Sequence, residues 1–221
     1  MKKITFLILL VASTIACTNE EAENLDITTD QLRIAQLLNP EVGGKISNEN
    51  AKKWTEQYKT THTSALQVSS FCANKDLIQS LLAIQIDGQP VDGINFTNGL
   101  LEDQTETMFI APMKDGVSLF AVDDSPLDRN DKGTLYQLAE NNEAMPVTFE
   151  AAKAAAIHYR KNNDISVLHP RSYFIGRETL LEMLTLNNEE SPMTGLRFSK
   201  AIKDDQTGTL VIIPMQRSTD V

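Results

Sequence analysis

Two cysteines and three histidines are the side chains of this 221-residue chain that could most directly supply a nucleophile, a base or a metal ligand. The histidines are His62, His158 and His169. No two of them are four residues apart, and the sequence contains neither HExxH nor CxxC, so the spacing does not indicate a zinc site. Cys72 lies in an apolar stretch beside a predicted helix start, which favours a small buried hydrophobe. A Cys72–histidine pair is the alternative, because catalytic groups can meet from distant positions.

The best candidate for a metal-binding loop is an Asp-rich stretch near the middle of the chain. Asp128, Asn130 and Gly133 match the first, third and sixth positions of an EF-hand calcium loop. Lys132 and Ala139 occupy the fifth and twelfth positions, where calcium requires oxygen ligands. We therefore predict a polar connector and no metal. Motifs for serine hydrolases and phosphate-binding loops are also absent from the sequence, so we predict no catalytic residue and no cofactor.

The charge balance limits the classes of partner. The chain has 20 basic and 30 acidic side chains, a formal net charge of -10. Nucleic-acid binding needs a basic surface, so no nucleic-acid partner is predicted. Electrostatic docking on an anionic membrane surface is disfavoured for the same reason. The hydrophobic content of 41% is typical of a globular chain.

The first 16 residues, called here the leader, are predicted to be a secretion signal. Lys2 and Lys3 precede an apolar run that is too short to cross a bilayer. Small residues then lead directly to Cys17. This arrangement resembles the lipobox of bacterial lipoproteins, although Thr14 stands where leucine is usual. The resemblance implies that Cys17 is lipidated and becomes the new N-terminus, so that its acyl chains anchor the protein in a membrane.

An acidic run from Thr18 to Glu23 follows the predicted anchor. It resembles the surface-export signal of Bacteroidota lipoproteins, which implies an outer-membrane lipoprotein exposed on the cell surface. The alternative is a plain solvated tether on a protein that faces the periplasm. Residues 17–45 are predicted to form this tether, with a short helix over 29–38. Removal of the leader leaves 205 residues with 18 basic and 30 acidic side chains, a net charge of -12.

The two halves of the sequence are similar to each other, with matching segments about 100 residues apart. The first helices align at an offset of 101 and the last strands at 102. Between them, the segments that begin at Phe71 and Phe174 align at 103, which pairs Cys72 with Ile175. Because the offset changes only in presumed loops, we interpret the pattern as a tandem duplication. The predicted organisation is a first repeat unit at 46–122, a connector at 123–146 and a second repeat unit at 147–221.

Each unit is predicted to fold as helix–helix–strand–strand, so the predicted fold class is α+β with two tandem repeats. The first helix of each unit has apolar residues at helical spacing, with Ser47 or Thr148 as its N-cap. A leucine-rich second helix follows. Two strands of alternating polarity then flank a polar Asp-Gln-Thr loop, which is predicted to close a hairpin.

The second unit contains an F-x-G-R-x-x-L segment followed by a G-x-R-F strand. The residues concerned are Phe174, Gly176, Arg177, Leu180, Leu181, Gly195, Arg197 and Phe198. This pattern resembles uncharacterised single-domain proteins of Bacteroidota. The first unit departs from the pattern at Ala73, Asn74 and Asn95. The resemblance implies a fold and no particular activity.

Together these features favour a non-enzymatic binding module on the cell envelope, attached to the membrane through the lipid on Cys17. The sequence does not specify its ligand, and a protein partner fits this reading. The alternatives are an envelope hydrolase with an unrecognised site and an immunity-type lipoprotein whose acidic surface blocks a basic toxin. A turn-forming role is the simpler explanation for the recurring loop residues. If the hairpin loops do bind a ligand, the candidate residues are Asp103, Gln104, Asp205 and Gln206.

Overall fold

The structure is a computed structural model. The described residues are 9–14, 44–62, 68–115, 117–118, 135–138, 144–163, 170–185 and 193–216. Helices and antiparallel sheet both occur in these ranges, as the predicted α+β class requires. The helices are α1 (Asn48–Thr61), α2 (Lys75–Leu82), α3 (Phe149–Asn162) and α4 (Arg177–Thr185). The strands are β1 (Leu9–Thr14), β2 (Gly44–Ile46), β3 (Ser70–Asn74), β4 (Gln85–Ile86), β5 (Gln89–Pro90), β6 (Gly93–Leu100), β7 (Glu106–Lys114), β8 (Val117–Ser118), β9 (Tyr136–Leu138), β10 (Met145–Pro146), β11 (Ser172–Gly176), β12 (Met193–Ile202) and β13 (Gly208–Gln216).

Three helices begin where a polar side chain caps the first turn. Ser47, Thr148 and Asn74 each accept a hydrogen bond from the amide three residues later, at 3.1, 3.3 and 2.7 Å. Such a bond satisfies one of the backbone donors that a helix start leaves unpaired. The predicted N-caps of α1 and α3 are therefore confirmed.

A short strand precedes the second helix of each predicted unit, where the sequence predicted none. β3 and β11 each have three or more consecutive buried residues. A strand that is covered on both faces shows no alternation of polarity, so its sequence resembles the start of a buried helix. The order helix–strand–helix–strand–strand occurs in both segments, with the short β4–β5 pair inserted before β6 in the first, which corrects the predicted helix–helix–strand–strand.

The two predicted units exchange these short strands. β3 pairs antiparallel with β12, and β11 pairs antiparallel with β6. Each short strand thus extends the hairpin of the other predicted unit. The long helices are exchanged in the same way, since α1 packs on β12 and α3 packs on β6.

The register of the exchanged strands corrects one detail of the sequence alignment. Cys72 lies opposite Arg197 in the β3–β12 pair, and Phe174 lies opposite Asn95 in the β11–β6 pair. Arg197 and Asn95 are 102 residues apart, as are Phe174 and Cys72. The predicted pairing of Cys72 with Ile175 at an offset of 103 is therefore wrong by one residue, which in a strand moves the side chain to the other face.

In each exchanged strand pair, a glycine at the start of the hairpin strand lets the two backbones come close together. A Cβ atom on Gly93 would collide with the carbonyl oxygen of Ile175, and one on Gly195 would collide with the carbonyl oxygen of Ala73. The two glycines that the sequence comparison aligned thus have the same physical role. Only a residue without a side chain allows the backbones to come this close.

The strands form one large sheet in the order β10-β9-β7-β6-β11-β1-β13-β12-β3, with β2 beside β1 and β8 beside β7. β1 is contributed by residues of the predicted leader and lies between β11 and β13. β9 and β10 come from the predicted connector and extend the sheet next to β7. The β4–β5 pair forms a separate two-stranded sheet.

Alternate residues of the two hairpins point to opposite faces of the sheet, so the buried residues form separate hydrophobic clusters on the two faces. The largest cluster combines α2 and α4 with residues such as Phe96 and Phe198, whose ring centroids are 4.5 Å apart. The opposite faces carry smaller clusters beneath the long helices. Phe109 packs with alanines of α3, and Val211 packs with Ala51 of α1.

Candidate functional site

A buried ion pair joins the two hairpins. Lys200, near the end of β12, donates a hydrogen bond from Nζ to Oε2 of Glu106, the first residue of β7, at 2.7 Å. The side chain of Lys200 is 2% exposed and that of Glu106 is 6% exposed. Charged side chains are rarely buried this completely unless they are paired, so this pair is the strongest polar feature of the described core.

Aromatic rings surround the buried amine. Lys200 Nζ lies 5.9, 5.6 and 5.8 Å from the ring centroids of Tyr58, Phe71 and Tyr159. The electron-rich ring faces attract the ammonium group, and the attraction is stronger where water is excluded. Tyr58 comes from α1 and Tyr159 from α3, so the amine also connects the two long helices.

Burial dominates the electrostatics of this cluster. It lowers the pKa of Lys200, while the neighbouring Glu106 carboxylate acts in the opposite direction. Burial also raises the pKa values of Tyr58, Tyr159 and Tyr173, and the Glu106 charge adds to the increase. The phenols therefore stay protonated over the physiological range.

Asn98 in the β6–β7 hairpin occupies the position that is equivalent to Lys200 in the β12–β13 hairpin. The Lys200 amide donates to the carbonyl of Ser69 at 2.9 Å, and the Asn98 amide donates to the carbonyl of Arg171 at 3.0 Å. The Asn98 carboxamide nitrogen also donates to the carbonyl of Pro170 at 2.8 Å. Both backbone amides thus hold a hairpin to the segment that leads into the strand it receives from the other unit, and the Asn98 side chain adds a second bond there.

A signal for this site was present in the sequence and was missed. Lys200 alternates with Phe198 and Ile202, and Glu106 alternates with Met108 and Ile110. Side chains two residues apart in a strand point to the same face, so both charges fall on the apolar face. A charged residue at a predicted core position indicates either that the strand has been assigned wrongly or that the charge belongs to a buried ion pair.

The predicted loop residues form turns at the tips of the two hairpins. Asp103 Oδ1 accepts the Thr105 amide, and Asp205 Oδ1 accepts the Thr207 amide, each at 2.9 Å. These hydrogen bonds from the threonines lower the pKa of each aspartate. The glutamine between them has a positive φ in both loops, 68° at position 104 and 63° at position 206. Turn geometry therefore accounts for the recurrence of Asp-Gln-Thr.

Each hairpin tip also contacts a long helix. Gln104 Nε2 lies 3.4 Å from Nε2 of His158 on α3. At the other tip, Asp204 accepts a hydrogen bond from Trp54 Nε1 at 3.2 Å and pairs with Lys53 at 2.7 Å, both on α1. The two loops that the sequence singled out are thus on different hairpins and contact different helices.

The candidate catalytic side chains are held in structural roles. Cys72 is 2% exposed, which confirms the predicted buried hydrophobe. The His62 ring stacks on Tyr58 with centroids 4.1 Å apart, and His158 Nδ1 lies 3.1 Å from the carbonyl of Leu100. Cys17, His169 and the EF-hand-matching residues Asp128, Asn130 and Gly133 are outside the described residues.

The described ranges contain no group of three or more His, Cys, Asp or Glu side chains that could hold a metal ion. In the same ranges no helix is both long and apolar enough to cross a bilayer. Comparisons with protein-family models, with curated proteins and with solved structures found no match.

Proposed function

We propose that this chain is a lipid-anchored protein of the cell envelope that acts as a non-enzymatic binding module. The observation that supports the non-enzymatic part is the burial of the candidate nucleophile Cys72 and of the Lys200–Glu106 pair. Cys72, Lys200 and Glu106 are each at most 6% exposed, and the latter two are bonded to each other. A substrate has no access to side chains in this position.

A tandem duplication is part of the proposal. It is supported by the constant offset of 102 residues between the two exchanged strand pairs and by the matching roles of Gly93 and Gly195. Duplicated scaffolds retain binding surfaces more readily than catalytic sites, because binding needs no second constellation of reactive groups. The connector at 123–146 links the two units.

The lipid anchor is tested by acyl labelling of Cys17. Cells that express the chain are grown with an alkyne-tagged fatty acid, and the protein is captured and its intact mass is measured. We expect a mature chain that begins at Cys17 and carries acyl chains, and no label on a Cys17→Ala variant. Equal labelling of both chains, or a mature protein without label, would refute the anchor.

The face of the membrane is tested by protease digestion of intact cells, with lysed cells as the control. Digestion on intact cells supports display on the outer surface, as the acidic run after Cys17 predicts. Protection until lysis places the protein in the periplasm and removes the role of that run. The hydrolase alternative is tested with Cys72→Ser, since loss of an observed turnover in this variant would overturn the non-enzymatic proposal.

A further inference from the structure

The strand contributed by the leader is paired along both of its edges. On one edge, Leu10, Val11 and Ala12 lie opposite Ile212, Val211 and Leu210 of β13 in an antiparallel register. On the other edge β1 pairs first with β2 and then with β11, also antiparallel. β1 therefore fills a gap one strand wide in the middle of the sheet, and it joins the two halves of that sheet.

The proposed function, on which this inference rests, removes β1 from the mature protein. Cleavage before Cys17 takes residues 9–14 away and leaves three strand edges without a partner. We call this place the strand slot. Its edges are Leu210–Ile212, Gly44–Ile46 and Tyr173–Phe174. Unpaired backbone groups inside a sheet are costly, and they are a template for pairing with another chain.

The walls of the strand slot are held apart by their own partners. β13 is paired along its length with β12, and β11 is paired with β6. The Lys200–Glu106 bond ties β12 to β7. Neighbouring strands lie about 4.8 Å apart, so β11 and β13 must move by about that distance to meet across the vacated position. The buried ion pair and the exchanged strands oppose that movement.

We propose that the mature protein binds an extended, uncharged segment of a partner protein in the strand slot. The incoming strand runs antiparallel to β13 and β11, as β1 does. Backbone hydrogen bonds on both edges supply affinity, as in other cases of strand addition. With β1 in place, the wall residues Leu210, Val211, Ile212, Tyr173 and Phe174 are at most 3% exposed. Small and aliphatic side chains fit such walls and charged ones do not.

The test uses the processed, membrane-anchored chain purified in detergent, after its intact mass has shown that it starts at Cys17. The probe is a fluorescent peptide with the sequence of residues 9–14, flanked by lysines for solubility. The control peptide carries Val11→Pro, which removes one amide donor from the ladder. We expect saturable binding of the probe by fluorescence anisotropy, at least about tenfold tighter than binding of the control.

A second chain checks that binding occurs in the strand slot. Cys17→Ala blocks lipidation, so the leader is retained and its own residues occupy the slot. We expect no saturable binding of the probe to this variant. In the processed chain, hydrogen exchange of the β13 amides at Leu210–Ile212 is expected to slow when the probe is added.

The outcomes separate the two proposals. A mature chain that retains the leader refutes the lipoprotein and, with it, the vacant slot. If the chain is processed correctly but binds the probe no more tightly than the Val11→Pro control, the strand-slot proposal alone is overturned. The same holds if the β13 amides are equally protected with and without the probe, because the slot is then closed or filled by residues 18–43 of the chain itself.

Discussion

The hairpins β6–β7 and β12–β13 occupy the same place in their strand pairings, yet they contribute different polar groups to the core. The first provides Asn98 and Glu106; the second provides Lys200 and, in the place of the glutamate, Gly208. The carboxylate and the amine thus come from opposite halves. The two hairpins share a pattern of strand pairing, and their buried polar groups are complementary instead of identical.

Breaking the ion pair has the largest expected effect. Replacing Lys200 by Met leaves Glu106 buried without its partner, so we expect the free energy of unfolding to fall by about 3–5 kcal/mol. The Lys200→Met, Glu106→Leu double variant removes both charges, and we expect it to recover most of that loss. Urea unfolding followed by circular dichroism measures both values.

The matched control for this experiment is Lys45→Met. Lys45 pairs with Glu182 at 2.6 Å, but both side chains are more than half exposed. Its loss should cost less than about 1 kcal/mol. Equal losses for Lys200→Met and Lys45→Met would show that the buried pair does not hold the hairpins together.

The glycines test whether the two halves are structurally equivalent. Gly93→Ala and Gly195→Ala each force a Cβ atom against the backbone of the exchanged strand. We expect each to lower the free energy of unfolding by about 1–3 kcal/mol, with similar values for both. A loss at only one position would argue against equivalent exchange of β11 and β3.

The N-caps of α1 and α3 allow the two halves to be compared through a smaller effect on stability. Ser47→Ala and Thr148→Ala each remove the acceptor for an amide in the first turn. We expect each to cost about 1 kcal/mol in thermal or urea unfolding. Ser47→Asp keeps an acceptor and should restore the stability of α1. If it does not, the cap is not the cause of the loss.

The smallest effect concerns the exposed turns. Hydrogen bonds lower the pKa values of Asp103 and Asp205 in the folded state. Each aspartate therefore stabilises the fold above the pKa of the unfolded chain, and this contribution is lost as the pH falls through the folded-state pKa. Carbon-13 NMR titration should give both values below the ordinary range. Thr105→Ala should raise the value of Asp103 and leave that of Asp205 unchanged.

Local sequence patterns predicted many of the helices, caps and turns of this fold, but they did not predict which distant strands pair with each other. Caps such as Ser47 and turns such as Asp103–Thr105 depend on neighbours within a few residues, so the sequence reveals them. The exchange of β3 and β11 depends on which buried edge meets which hairpin, and no local pattern encodes that choice. Lys200 and Glu106 were visible as charges on apolar faces, but only the register brings them together.

The strand exchange also determines when the protein can fold. Asn74 lies opposite Gly195, which follows it by 121 residues. Synthesis at about 5–20 residues per second leaves β3 without its partner for several seconds or more. Pairings of such long sequence separation close slowly, because the loop entropy must be overcome before the contacts form. We expect the first half alone to leave β3 unpaired, so the chain should fold as one cooperative unit once its C-terminal hairpin is available.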